Sequence, residues 1–473
     1  MDRKDILKDI VRAYKKYPNN AAFVIDGTSY TYKEVFARVQ GIMPSVQGTQ
    51  GDIIGIVAED RIETYASILA VLLSGKTYVI LHPSYPASRN RTIAEITGMN
   101  IVLHSTPSEI VESLPDGMKC ISTLELRDDT PGKNLLDIKH DEDTNAYIIF
   151  TSGSTGVPKG VQITRKNLNA FYETYRHLDW RLGPTDRMLQ MFELTFDVSV
   201  VSTLYPLTLG ACIYTVGSDK LKYMRVYELM EDEELTHVTI PPSVLQFLSP
   251  YFDEIHVPKL KFLVVTAEAA NADLLERFRP CAPNAEFVNF YGPTEATIYC
   301  TVYLIPRENC KHHNGMIAIG KPFEGIETLI MDEKGHPVIP GEQGELWVSG
   351  DQIMAGYWKD REKTEQVFAR VDGEIYYKTG DLCHVDSDGD IIYRGRKDYQ
   401  VKVQGFRVEL NEIEYTARKF YREEKNVVVV AKKDDDGGCQ LHLFIEAAEC
   451  DTSSLLEFMK MHLPVYMLPA RVH

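Results

Sequence analysis

From residue 52 onward, short β-branched runs alternate with stretches whose apolar residues recur every three or four positions. "DIIGIVA" gives way to "RIETYASILAVLL", predicted to be a helix with one apolar face, then to "TYVILHP", a further helix and "NIVLHS". Period two marks strands and period 3.6 marks helices, and their alternation predicts βαβ units around parallel sheets. The pattern resumes with "RKNLNAFYETYRHL" as helix, "THVTI" as strand, "PSVLQFLSPYF" as helix, and "LKFLVVTA" and "EFVNFYG" as strands. Such crossovers leave ligand sites at the strand C-terminal ends. After Gly320 closely spaced strands with Gly and Asp turns, such as "GELWVSG" and "EIYYKTGDLCHVDSDGDIIYRG", predict antiparallel hairpins. From "KDYQVKVQGFRVELNEIE" onward the pattern is a small α+β unit, with helices near 411–420 and 453–462 and a hairpin at "DDDGG". The expected architecture is α/β: an N-terminal core over 1–397 built on parallel-type sheets, including a β-rich subdomain at about 321–397, followed by a small mobile α+β domain over 398–473.

The charge balance narrows the function. Lys and Arg total 51 against 68 Asp and Glu, a net charge of −17, which disfavours a broad grip on nucleic acid or anionic lipid. The eight cysteines form no C-x-x-C pair, as expected for reduced thiols in the cytoplasm. The N-terminal twenty residues carry charges throughout and predict an amphipathic helix rather than a signal peptide, and the longest apolar run is interrupted by Lys76, so no membrane span is expected. His312 and His313 lack a third ligand at metal spacing and predict a loop, and Asp388-Gly389 in "DSDGDIIY" predicts a hairpin turn rather than a calcium loop.

The segment "YIIFTSGSTGVPKGV" sets Thr151, Ser152, Gly153, Ser154, Thr155, Gly156 and Lys159 directly behind an apolar strand. Small residues let backbone N–H groups converge as a nest, hydroxyls add donors and Lys159 adds charge, so a polyphosphate is the natural guest. A flexible surface linker is the structural alternative. The only G-K-T, at Gly75-Lys76-Thr77, has Ala70 where a P-loop needs its first glycine.

Three more segments, "NFYGPTEAT" (289–297), "YKTGDL" (377–382) and "GRKDYQVKVQGFRVELNEIE" (395–414), follow in the order and spacing of one superfamily. With "TSGSTGVPKG" they make the chain resemble the adenylate-forming enzymes: acyl-CoA synthetases, luciferases and nonribosomal peptide synthetase adenylation domains. The resemblance implies ATP and Mg2+ as cofactors, with Lys159 and the 151–156 loop on the phosphates. Asn289, Tyr291, Gly292, Pro293 and Thr294 would form the adenine side, Tyr291 stacking on the base, and Glu295 would hold Mg2+ beside the catalytic Thr294 and Lys159. Asp381 would accept hydrogen bonds from the ribose, with Tyr393 and Arg396 at the nucleotide, and Asp398 would be the hinge about which the small domain turns.

The substrate end is read from "LTFDVSVVSTLY". Asp197 lies between Phe196 and Val198 in an apolar context where an unpaired carboxylate is costly, so a cationic group should meet it. A helix cap is the alternative. In the amino-acid-activating branch that the chain resembles, the matching aspartate binds the substrate ammonium. The implied pocket walls are Val198, Val201, Thr239, Val265, Ala267, Phe290, Ile298 and Tyr299. Phe290 and Tyr299 would fill the deep end, favouring a small amino acid such as alanine over glycine, serine or valine.

The resemblance implies a two-step reaction: attack of the amino-acid carboxylate on the ATP α-phosphate, then transfer to the phosphopantetheine thiol of a carrier protein. Members of this branch carry a lysine in an "NGK" segment a little past "LPxYMxP". Here "LPVYMLPARVH" closes the sequence, so that lysine is expected further along the natural protein. The length of the chain suggests a stand-alone ligase like the D-alanine–D-alanyl carrier protein ligases, with a local basic patch for an acidic carrier. The alternatives are an acyl-CoA synthetase, which would need no carboxylate at 197, and a non-catalytic nucleotide-binding relative, which would bind nucleotide without any exchange.

Overall fold

A computed structural model describes residues 5–49, 51–106, 109–128, 141–153, 157–178, 180–217, 222–398, 400–422, 425–433, 439–447 and 450–473. Two large sheets face one another. The seven-stranded sheet has Thr77–Leu81, Ile53–Val57, Ile101–His104 and Lys119–Ser122 in parallel on one side, and Asn145–Thr151 paired antiparallel with Lys159–Thr164 on the other. The nine-stranded sheet is parallel through Phe262–Val265, His237–Ile240, Arg187–Gln190 and Cys212–Thr215, with antiparallel pairs at both ends.

The helix Ile62–Leu73 departs from expectation. All twelve of its residues are buried, not one face. It contributes to one hydrophobic cluster that also takes Ile54 and Tyr147 from the first sheet and Phe262 and Val264 from the second, while its Glu63 is paired with the buried Arg38 at 3.0 Å. Strand alternation sends Leu263 and Val265 to a second cluster on the far side of the nine-stranded sheet.

The β-rich part is antiparallel as expected, with Ile326–Met331, Gly344–Gly350, Glu374–Val385 and Phe368–Val371 in order and Ile391–Arg396 added on Glu374–Val385. In the turn before Ile391 the Asp386 carboxylate accepts from the Asp388 and Asp390 amides, and Lys311 bridges Asp386, Asp388 and Asp390. His312–His313 pairs with Met316–Ile317 as a short hairpin. The chain then makes a two-stranded hairpin, Gln400–Val403 with Phe406–Glu409, the helix Leu410–Phe420, and a three-stranded sheet against the helix Thr452–Lys460, around a cluster of its own. The "DDDGG" turn lies outside the described residues. Among the described residues no helix is long and apolar enough to cross a membrane, and no group of three His, Cys, Asp or Glu is placed to hold a metal ion.

Candidate active site

The polyphosphate loop leaves the strand Asn145–Thr151 and returns as Lys159–Thr164, a strand–loop–strand rather than a strand–loop–helix. A side chain at Gly153 would put its Cβ 2.0 Å from the Val157 carbonyl oxygen, so only glycine lets the loop close on itself. The Thr151 hydroxyl is buried without a partner, the Ser152 hydroxyl donates to the Arg407 carbonyl at 3.1 Å, and the Gly153 N–H donates to Glu412 at 3.1 Å. Ser154, Thr155 and Gly156 lie outside the described residues.

A cavity opens beside this loop, between the large sheets and the Gln400–Glu409 hairpin. Its lining includes Asp197, Val198, Ala267, Tyr291, Gly292, Pro293, Thr294, Ile298, Asp381 and Arg396, which lie dispersed over 200 residues of sequence. Asp197 stands at the start of the helix Val198–Leu209, the position of a cap, yet its side chain makes no capping bond. Its Oδ2 atom is buried and unpartnered, as are the hydroxyls of Tyr147 and Tyr299. Burial pushes the Asp197 carboxyl up to about 6, while the Thr294 hydroxyl partly offsets this and Glu295 adds to it. Desolvation is the largest cause, and the Thr294 hydroxyl, the Val198 amide and the Lys402 ammonium only partly oppose it. A buried carboxylate with a free oxygen calls for a cation, and the reading of Asp197 as a cap loses its support.

The expected pocket walls divide into two groups. Val198, Ala267 and Ile298 reach the cavity surface; Val201, Thr239, Phe290 and Tyr299 are buried behind it. Phe290 and Tyr299 stack at 4.7 Å and 11°, closing the deep end as expected. Val265 is a correction: the two-residue repeat of its strand turns it into the cluster on the opposite face, and Thr266 lines the cavity instead. Ala267 and Ile298 hold left-handed backbone, at φ 67° and 73°. For a β-branched residue that is a strained conformation kept by its surroundings.

The nucleotide residues form a connected network. Tyr291 donates to Asp381, whose other oxygen accepts from Arg396 at 2.8 Å, and Arg396 grips Asp398 through two contacts of 2.6 and 2.7 Å. Asn289 is turned elsewhere: its amide donates to the Ala318 carbonyl at 2.9 Å, so it braces the sheet edge rather than the cavity. Tyr393 likewise packs against the main hydrophobic cluster and does not line the cavity.

Glu295 departs most from expectation. It is fully buried, and one oxygen accepts from Tyr357 while the other accepts from Arg407, both at 2.8 Å. Lys159 Nζ lies 3.8 Å from Glu295 and 4.0 Å from Glu409. Burial alone would raise the Glu295 carboxyl, but Arg407 and then Lys159 outweigh it and hold it down at about 2. In this arrangement the residues around Glu295 therefore do not fit Mg2+: both carboxylate oxygens and the local charge are already satisfied. The sequence reading missed Arg407, Lys402 and Glu412. Arg407 and Lys402 pair across the hairpin, and two like charges opposite each other are unfavourable unless anions face them. That cross-strand pair was the available signal. Lys402 lines the cavity, its ammonium lowered by burial with Asp381 working against the shift.

A second, wider cavity of about 510 Å3 runs outward between Phe247, Lys222 and Glu193 on one wall and Leu441, Val465 and Phe406 on the other. The two cavities share Tyr85, Phe196, Gly405 and Tyr466 in their lining, so they are neighbours.

Fold and site together define an ATP-using adenylating enzyme of the AMP-forming type. The chain matches the AMP-binding enzyme family over residues 10–358, and it belongs to that family. It is 31% identical to tyrocidine synthase 2 of Brevibacillus parabrevis over 96% of its length, and spans only 12% of that synthase. It is also 31% identical to novobiocin biosynthesis protein H of Streptomyces niveus, covering 97% of this chain and 77% of that one. Among solved structures it superimposes with a TM-score of 0.90 and 25% identity on the Vibrio cholerae adenylation domain AlmE in complex with glycyl-adenosine-5'-phosphate, covering 100% of this chain and 94% of that one.

Proposed function

We propose that the protein activates a small amino acid, alanine in the first instance, as its aminoacyl-adenylate and passes it to the phosphopantetheine thiol of a carrier protein. The observation that carries this reading is the unpartnered, buried Asp197 oxygen at the cavity, a match for a substrate ammonium. The aromatic floor behind Ile298 supports a short side chain. The name of the superimposed AlmE complex, which carries glycyl-adenosine-5'-phosphate, agrees with a small substrate. In this reading Lys159 and the 151–156 loop serve the phosphates, and Tyr291, Asp381 and Arg396 the nucleoside. Asp398, held by Arg396, is the hinge between a core over 1–397 and a small domain over 398–473. Positioning and charge neutralisation then do the catalysis, with no protein nucleophile. The 510 Å3 cavity beside the substrate site suits an extended thiol arm.

The test is ATP–pyrophosphate exchange across D- and L-amino acids with propionate as the control, since propionate is alanine without its ammonium. Exchange with alanine or another small amino acid and none with propionate is expected. Exchange with propionate at a comparable kcat/KM would shift the assignment to an acyl-CoA synthetase, because Asp197 would then have no partner to recognise.

A further inference from the structure

Glu193 is the sole carboxylate among the described residues that line the outer cavity. The other walls there include Phe247, Phe406, Leu441 and Val465, so an acidic side chain departs from its surroundings. The side chain is 18% exposed, yet its Oε2 atom is buried without a hydrogen-bond partner. Glu193 follows the strand Arg187–Gln190 and stands a few residues before Phe196, which lines both cavities. Tyr85 and Tyr466, also common to both, lie in its field: burial is the first cause that raises each phenol, and Glu193 adds to it. The carboxylate therefore stands close to the boundary that the outer cavity shares with the substrate site.

Its neighbours leave it as the group there that can take up a proton. His82 Nδ1 accepts from the Ser84 amide at 3.2 Å, so the imidazole proton sits on Nε2, which lies 3.8 Å from Glu193 Oε2. Burial lowers His82, with Glu193 opposing, so the ring offers Glu193 an N–H and no lone pair. Lys222 is set near Glu193 and Asp60, both of which oppose the lowering of its ammonium by burial, and an ammonium accepts nothing. The two raised phenols are neutral hydroxyls.

We propose that Glu193 is the proton acceptor of the transfer step and takes the proton of the incoming thiol. The inference rests on the adenylation and transfer reading above. An ordinary thiol is only a few per cent ionised at pH 7, and the thiolate is the nucleophile, so a base at the cavity boundary raises the rate. The S–H bond breaks and its proton goes to Glu193 Oε2. The sulfur bonds to the acyl carbon through the electron pair so released, the mixed-anhydride C–O bond breaks, and AMP departs with that pair on its phosphate. Glu193 then passes the proton to solvent through the outer cavity. His82 and Lys222 are positioning residues, setting a hydrogen-bond donor and a positive charge beside the carboxylate.

The full chain, supplied with synthetic alanyl-adenylate and pantetheine, tests this by single-turnover thioester formation at a series of pH values below the thiol pKa of about 8.5. The native rate is expected to vary by less than about threefold, because the base comes from the protein. A native rate that climbs about tenfold per pH unit would mean that thiolate from solution attacks, and would overturn the inference. Glu193→Gln should be roughly a hundredfold slower at pH 7, the scale of one general base, and should acquire that slope. Thiophenol, a more acidic thiol that ionises without help, should react with Glu193→Gln within about threefold of the native rate. His82, Lys222, Tyr85 and Tyr466 face Glu193 with either thiol, so the comparison reads the thiol proton alone. Equal native and variant rates with pantetheine would overturn the inference, and so would a defect of one size with both thiols, since a structural brace serves both. If the variant fails to fold, the native pH profile decides. No transfer by the native protein to either thiol would bring down the proposed function, and this inference with it.

Discussion

Replacing Asp197 by Asn is expected to lower alanine-dependent ATP–pyrophosphate exchange by roughly a thousandfold while making the unliganded protein more stable. The two effects have one cause. Breaking a buried ion pair by removing one partner costs about 3–5 kcal/mol, and each 1.4 kcal/mol is tenfold in an equilibrium constant, which sets the size of the exchange loss. Without substrate one oxygen of the same carboxylate has no partner, and burial penalises its charge. Holding it at about 6 rather than the ordinary 3.8 corresponds to roughly 3 kcal/mol at pH 8. The sign follows from proton binding: between pH 4 and 6 the native state holds the proton that the unfolded state has released, so native stability falls as pH rises through that window and is flat above it. Asn should remove that slope. The groups facing Asp197 are Thr294, Glu295, Lys402, Tyr78, Tyr147 and Tyr299, and of these Glu295 stays ionised throughout the window. Urea unfolding at pH 5 and pH 8, alongside exchange and ATP-binding assays, checks all of this. A variant that loses exchange and stability together would mean that Asp197 braces the fold and does not receive substrate.

What was legible in the chain follows the range of the interactions involved. The alternating strands and helices are local, and Asn145–Thr151, Thr77–Leu81 and Phe262–Val265 fall where the hydrophobic period puts them. The buried, unpartnered carboxylate of Asp197 was legible too, because an acidic residue between Phe196 and Val198 contradicts its local pattern. Glu295 could not be read completely, since Arg407 lies 112 residues along the chain and reaches it only through the docked hairpin. The same holds for Gly153 and Glu412, separated by 259 residues. Val265 failed for a different reason: Ala267 lies past the end of the strand Phe262–Val265 and holds a left-handed φ of 67°, so the two-residue repeat that would put 265 and 267 on one face does not carry across, and a wall assignment right for Ala267 is wrong for Val265.

The largest change in substrate choice is expected from Ile298→Gly. Ile298 forms the cavity's first layer with a left-handed φ of 73°, where an L side chain crowds its own backbone by about 1–2 kcal/mol. Glycine holds that backbone freely, so part of the stability lost with the buried side chain is recovered. All four side-chain carbons leave the wall, and each methylene in an apolar pocket is worth about 1–3 kcal/mol of discrimination. The preference for alanine over valine, expressed as a ratio of kcat/KM in the exchange assay, should fall roughly a hundredfold. Phenylalanine should remain excluded, because the stacked Phe290 and Tyr299 rings stand behind the first layer and are packed against Phe171, Tyr175 and Phe323. Wild-type selectivity in Ile298→Gly would mean that the amino-acid side chain points away from this wall. Phenylalanine activation would mean that the aromatic floor yields, and the depth of the pocket would then be set by packing energy rather than by a fixed boundary.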